Sequence, residues 1–105
     1  MKKMKEGDLQ RLIIDYLEAK KYLVIKQQSG ALFNPQKGYI PMRRTGIPDL
    51  LFCSPTGQFG AIEVKIKPNK ATEDQLYFLS EVEQRGGVAI LAYSLEEIIE
   101  KIKNN

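Results

Sequence analysis

The sequence contains no histidine and only one cysteine, Cys53, in 105 residues. Without imidazole there is no Ser-His-Asp or Cys-His catalysis, no histidine-ligated zinc and no nuclease mechanism with an imidazole base. Acid-base chemistry falls to carboxylates, lysines or water. A lone thiol forms neither an internal disulfide nor a thiolate cage for a metal, which fits a reducing cytoplasm. Cys53 itself reads as a small buried apolar residue on a strand. No apolar run approaches the ~20 residues of a membrane span. The lysine-rich start, Met1 to Lys5, leads into polar residues rather than the apolar stretch of a signal peptide. The expectation is a protein that is neither membrane-inserted nor secreted, in a reducing cytoplasm.

What is present, 43% apolar and 28% charged residues, describes one soluble globular domain over residues 1–105 with room for one modest core. A domain this small buries roughly 60 to 65% of its unfolded surface, so self-association is a natural way to add buried area and a homodimer is expected. The net charge of +3 is unevenly placed: residues 1–50 hold 10 Lys and Arg against 5 Asp and Glu, and residues 51–105 hold 6 against 8. A local basic bias suits a polyanion-facing surface.

From Asp8 to about Lys20, Leu9, Leu12, Ile13, Tyr16 and Leu17 fall at helical spacing, with Asp8 placed as N-cap. Tyr22 to Gln27 reads as a strand. Gln28 to Gly46 is dense in backbone punctuation and predicts a long loop with a short strand at Ala31 to Phe33. That loop carries Lys37, Tyr39, Arg43 and Arg44, the strongest basic and aromatic cluster of the chain. Leu50 to Cys53 and Phe59 to Ile66, joined by Ser54-Pro55-Thr56-Gly57-Gln58, form an antiparallel hairpin. Thr72 to Gln84 follows as a helix with Leu76, Leu79 and Val82 on its buried side, ended by Arg85-Gly86-Gly87. Val88 to Ala92 is a buried strand reached by a helical crossover, hence parallel to its neighbour. Ser94 opens a last helix, with Glu97 placed for a capping box. The order α-β-(β)-β-β-α-β-α describes an α/β fold with a small mixed sheet flanked by helices.

Asp49 follows Pro48 at the entry of one hairpin strand, and Glu63 and Lys65 lie two apart on the other, on one face of it. Whichever register the reversal sets, Asp49 lies opposite position 63 or 64 and comes near Glu63. Two carboxylates on a mostly apolar hairpin repel each other and lose hydration. One resolution is a divalent cation: Asp49, Glu63, the backbone carbonyl of Val64 and waters supply the all-oxygen set that Mg²⁺ or Mn²⁺ prefers. Lys65 then stands where an ammonium orients water and offsets charge on phosphate. The other is a Glu63–Lys65 ion pair with Asp49 as a turn residue, and geometry alone leaves both open.

Gly46-Ile47-Pro48-Asp49, thirteen residues, Glu63-Val64-Lys65 and then Gln75 on the following helix together resemble the PD-(D/E)xK nuclease superfamily, and specifically its VRR-NUC branch of stand-alone viral and bacterial domains. The resemblance runs from about Asp8 to Lys103 and implies a restriction-endonuclease-like core. It also implies a metal-dependent endonuclease acting on DNA, with Asp49 and Glu63 as ligands of Mg²⁺ or Mn²⁺, Lys65 polarising or positioning water, and Gln75 as the family's helical glutamine. Gln75 also stands third after Thr72, where it completes a capping box, and both roles can hold together. The family's first helix carries an acidic metal-binding residue, usually glutamate. Here Asp8 stands at the matching place, with Glu6 two residues earlier; its shorter side chain reaches a metal through a water, and it competes with the N-cap role.

Stand-alone domains of this size in the family resemble Holliday junction resolvases that act as homodimers, since paired cuts in a four-way junction call for two sites about a twofold axis. The exposed face of the first helix and the apolar residues of the 31–41 loop are the candidate dimer surfaces. Lys37, Arg43 and Arg44, with Lys67 and Lys70 past the active strand, are the expected phosphate contacts, giving structure-selective, salt-sensitive binding. Tyr39 either stacks on an unpaired base or anchors the loop to the sheet. The competing readings are the same chemistry on flaps, nicks or free ends, and a DNA-binding module without catalysis.

Overall fold

Leu9, Ile13 and Leu17 recur every four residues and form the buried stripe of the first helix, α1 (Glu6–Ala19). The computed structural model describes residues 3–27 and 46–103, together with strands at 32–34 and 38–40. Asp8 is not the N-cap: Lys5 holds that position, and Asp8, in the first turn, accepts from the Lys5 amide at 3.0 Å. The helix starts two residues earlier than expected because Glu6 also suits a first turn, where partial positive charge favours carboxylates. Leu12 stays exposed, since Ile13 fills the core at that level.

Strand β1 (Leu23–Lys26) is followed by a small separate hairpin, β2 (Leu32–Asn34) with β3 (Gly38–Ile40). The expected strand at 31–33 falls one residue later and has a partner strand inside what read as loop. Tyr39 is the middle residue of β3; Lys37, Arg43 and Arg44 lie outside the described residues. The anticipated hairpin is β4 (Leu50–Cys53) with β5 (Phe59–Val64), which ends two residues before Ile66. Its turn is closed by the Ser54 amide donating to the Gln58 carbonyl at 2.8 Å. Helix α2 (Glu73–Gln84) then crosses over to β6 (Val88–Ala92), and α3 (Leu95–Lys103) closes the order. Its start is the expected one, with the Ser94 hydroxyl accepting from the Glu97 amide and Glu97 Oε1 from the Tyr93 amide.

The main sheet runs β1-β4-β5-β6, antiparallel except for the β5–β6 pair that α2 connects. Leu50, Phe52, Ile62, Val64, Ile90 and Ala92 share one face through the register and are buried under α1 and α3. Gly60 is required there because a Cβ would lie within 2.5 Å of three atoms of the Phe52 ring.

Among the described residues, the other face is covered by α2 over only part of its width. Leu79 and Val82 of α2 pack with Phe78 over Ala61, Ala89, Leu91 and Leu51, while Leu23 and Ile25 on β1 remain 66% and 52% exposed. Cys53, expected in the core, is exposed on the uncovered part. Leu76 is likewise exposed, because the sheet-facing stripe of α2 runs through Gln75, Phe78, Leu79 and Val82 rather than through position 76.

Candidate active site

Pairing of Leu50 with Ile62 sets Asp49 directly across from Glu63. The turn that carries Asp49 is pinned at both ends of the residue. Its carbonyl accepts from the Gln27 amide at 2.7 Å, and its Oδ2 accepts from the Val64 amide at 2.9 Å. Pro48 just before it is fully buried. On β5, Glu63 faces the α2 side of the sheet and is 1% exposed. Its Oε2 accepts from Gln75 Nε2 at 3.1 Å and lies 3.4 Å from Lys65 Nζ.

Glu63 Oε1 is buried and has no hydrogen-bond partner among the described residues. Burial first, and then the neighbouring Asp49 carboxylate, push the Glu63 carboxyl from the ordinary 4.5 up to about 7, with Lys65 acting in the opposite direction. An orphaned buried carboxylate oxygen next to a second carboxylate is a costly arrangement for a protein alone. Both oxygens are hard donors of the kind Mg²⁺ and Mn²⁺ take, so the residues present fit a divalent cation. Asp49 and Glu63 are the side chains that could hold it, and the Val64 main chain meets Asp49 through its amide. Asp8 is not brought into this group: among the described residues no third acidic side chain joins to make a three-carboxylate cluster.

Gln75 completes the expected capping box and, on the functional side, reaches the Glu63 carboxylate. Its amide donates to Thr72 Oγ1 at 3.1 Å and its Oε1 accepts from the Thr72 amide at 2.8 Å, closing the capping box, while its Nε2 remains to hold Glu63. The ion pair and the carboxylate pair, alternatives in the sequence, are likewise both present on one face.

Past β5 the chain turns through Lys67, Pro68 and Asn69, with Lys67 and Lys70 exposed. Sequence reasoning did not single out Tyr93. Its hydroxyl donates to the Asn69 carbonyl at 3.1 Å and its ring lies 5.9 Å from Lys67 Nζ. The available signal was its place immediately after β6, which runs parallel to β5 and therefore ends at the same edge as Lys65.

A mixed four-stranded sheet between two helices on one side and one on the other, with carboxylates and a lysine at the end of an internal hairpin, defines a restriction-endonuclease-like α/β domain. The VRR-NUC domain family matches residues 4–96, and the chain belongs to that family of nuclease domains. It is also similar to a solved VRR-NUC domain structure at 26% identity and a TM-score of 0.71, covering 96% of this chain and 97% of that one. No protein of curated function matches. No helix among the described residues is long and apolar enough to cross a membrane.

Proposed function

We propose that this chain is a divalent-metal-dependent endonuclease that cuts branched DNA, four-way junctions foremost, as a homodimer over residues 1–105. The observation that carries the reading is Glu63: buried, flanked by Asp49 and Lys65, and with one oxygen that has no hydrogen-bond partner among the described residues. A bound Mg²⁺ or Mn²⁺ supplies Lewis-acid activation of water and neutralises charge on the scissile phosphate. Around it, Asp49 and Glu63 provide the oxygen donors, and Gln75 fixes the rotation of the Glu63 carboxylate. Lys65 keeps a cation beside the reacting phosphate, where it orients the attacking water and offsets negative charge as that charge develops. Lys67 and Lys70 extend this positive edge along the DNA backbone; Lys37, Arg43, Arg44 and Tyr39 are proposed to complete the grip from the 28–45 segment. Asp8 is proposed to act, if on the metal at all, through water.

The homodimer draws support from exposed apolar residues at the β1 side of the sheet. Leu23, Ile25 and Cys53 present an uncharged apolar surface that suits a protein partner and not a phosphate backbone. Replacing Leu23 and Ile25 together by lysine is expected to convert a dimer to a monomer in sedimentation equilibrium, and to turn paired junction cuts into single nicks. A wild type that sediments as a monomer at all concentrations removes the dimer from the proposal.

The testing experiment is cleavage of end-labelled four-way junction, flap and linear duplex DNA with Mg²⁺, Mn²⁺ or EDTA. Paired, symmetric, metal-dependent cuts in the junction are expected. Cutting confined to flaps or free ends keeps the chemistry and discards the junction, and no cutting at all leaves a DNA-binding module.

A further inference from the structure

Gly46 has φ of +75°, and a Cβ placed on it would lie 2.4 Å from both the carbonyl carbon and the carbonyl oxygen of Asp74, and 2.8 Å from Asp74 Cβ. The contact is with main chain, which cannot swing aside as the tip of a side chain does. Asp74 is the second residue of α2, and its carbonyl belongs to the peptide that leads into Gln75. The turn that carries Asp49 and the first turn of the helix that carries Gln75 thus rest directly on one another through a position with no side chain.

Resting on the nuclease reading, we propose that Gly46 is a positioning residue: it seats the N-terminus of α2 against the Asp49 turn so that Gln75 reaches Glu63. The Asp49 side cannot yield easily, since Asp49 is tied to β5 by the Val64 amide and to the end of β1 by the Gln27 amide. The helix side must move instead. Relieving a 2.4 Å contact to the 3.4 Å of ordinary van der Waals approach displaces the Asp74 peptide by about 1 Å. Gln75 moves with it, because its amide and its Oε1 are both held by Thr72 in the same turn. A hydrogen bond of 3.1 Å to Glu63 lengthened by ~1 Å is no longer a hydrogen bond. Displacements of this size at a catalytic centre cost on the order of 100-fold in rate.

The test compares Gly46→Ala, Gln75→Ala and the double variant on whichever DNA the wild type cuts, reading kcat and KM separately, with thermal melts as a record of folding. Gly57→Ala is the control, because Gly57 also has positive φ, +89°, but nothing within 4 Å of its added Cβ. Gly46→Ala is expected to lower kcat about as far as Gln75→Ala, with KM within about twofold of wild type, and the double variant is expected to be no slower than the slower single. Gly57→Ala retains wild-type kcat. Gly46→Asn, which tolerates positive φ but still carries a Cβ, reproduces the kcat loss with a higher melting temperature. The inference is overturned if Gly46→Ala cuts like wild type, if the two effects multiply in the double variant, or if neither Gly46 variant folds, since the contact then serves folding alone. A wild type that cuts no DNA with any metal overturns the nuclease reading, and this inference with it.

Discussion

Glu63→Gln is expected to abolish the proposed metal-dependent cleavage while leaving DNA binding within about twofold of wild type. The substitution keeps the volume of a side chain that is 1% exposed, and it retains an oxygen for Gln75, so the fold is preserved. What it removes is an anionic oxygen donor. Lewis-acid assistance is worth several kcal/mol and each 1.36 kcal/mol is tenfold, so the rate falls by on the order of 10³ or more. Binding survives because a carboxylate repels phosphate and contributes nothing attractive to it without metal. Gel shifts in EDTA set beside cleavage of the same labelled junction in Mg²⁺ separate the two effects. Cleavage by the variant at a near-normal rate would sink the assignment of Glu63.

The second large effect is a stability that falls with rising pH in the metal-free protein. Glu63 carries a carboxyl near 7 in the folded chain against an ordinary 4.5 when unfolded. Between those values the folded state holds a proton that the unfolded state has lost, so each step up in pH favours unfolding. The contribution is complete below about 4.5, declines through about 7, and is flat above, where both states are ionised. Integrated over the interval it amounts to about 3 kcal/mol, which for a domain of this size corresponds to a fall of roughly 10 to 20 °C in melting temperature. Mg²⁺ or Mn²⁺ added at pH 8 restores stability by binding the ionised, folded form alone. Calorimetric melts from pH 5 to pH 8, with and without metal, measure both effects, and Glu63→Gln removes the slope. A metal-free wild type as stable at pH 8 as at pH 5 contradicts the environment described for Glu63.

Apart from β3, which read as loop, the element order, the parallel β5–β6 crossover and the nearness of Asp49, Glu63 and Lys65 were legible from local pattern, and Gln75 joined them through the family resemblance. Period two on a hairpin puts Glu63 and Lys65 together whatever surrounds them, and Thr72 announces the helix that carries Gln75. Most other misreadings concern burial. Cys53 and Leu76 lie in patterns that look buried, but Cys53 falls beyond the part of the sheet α2 covers, and Leu76 lies off the stripe through which α2 meets the sheet. Coverage depends on how two elements distant in sequence dock, which local periodicity does not encode. Asp8 was misplaced for a smaller reason: Glu6 and Asp8 serve a first turn equally well, and the cap geometry lies in the backbone of Lys5. The steric need for a bare Cα at position 46 was also invisible, since it arises from Asp74 twenty-eight residues later.

Position 75 is written once and read twice. The start of α2 needs there a side-chain acceptor that returns to Thr72, and Glu63 needs a donor. Glutamate answers the first reader and fails the second; lysine or arginine answers the second and fails the first. The alphabet open to this position is the intersection of two short lists, and substitution there is constrained by helix initiation and by chemistry at the same time.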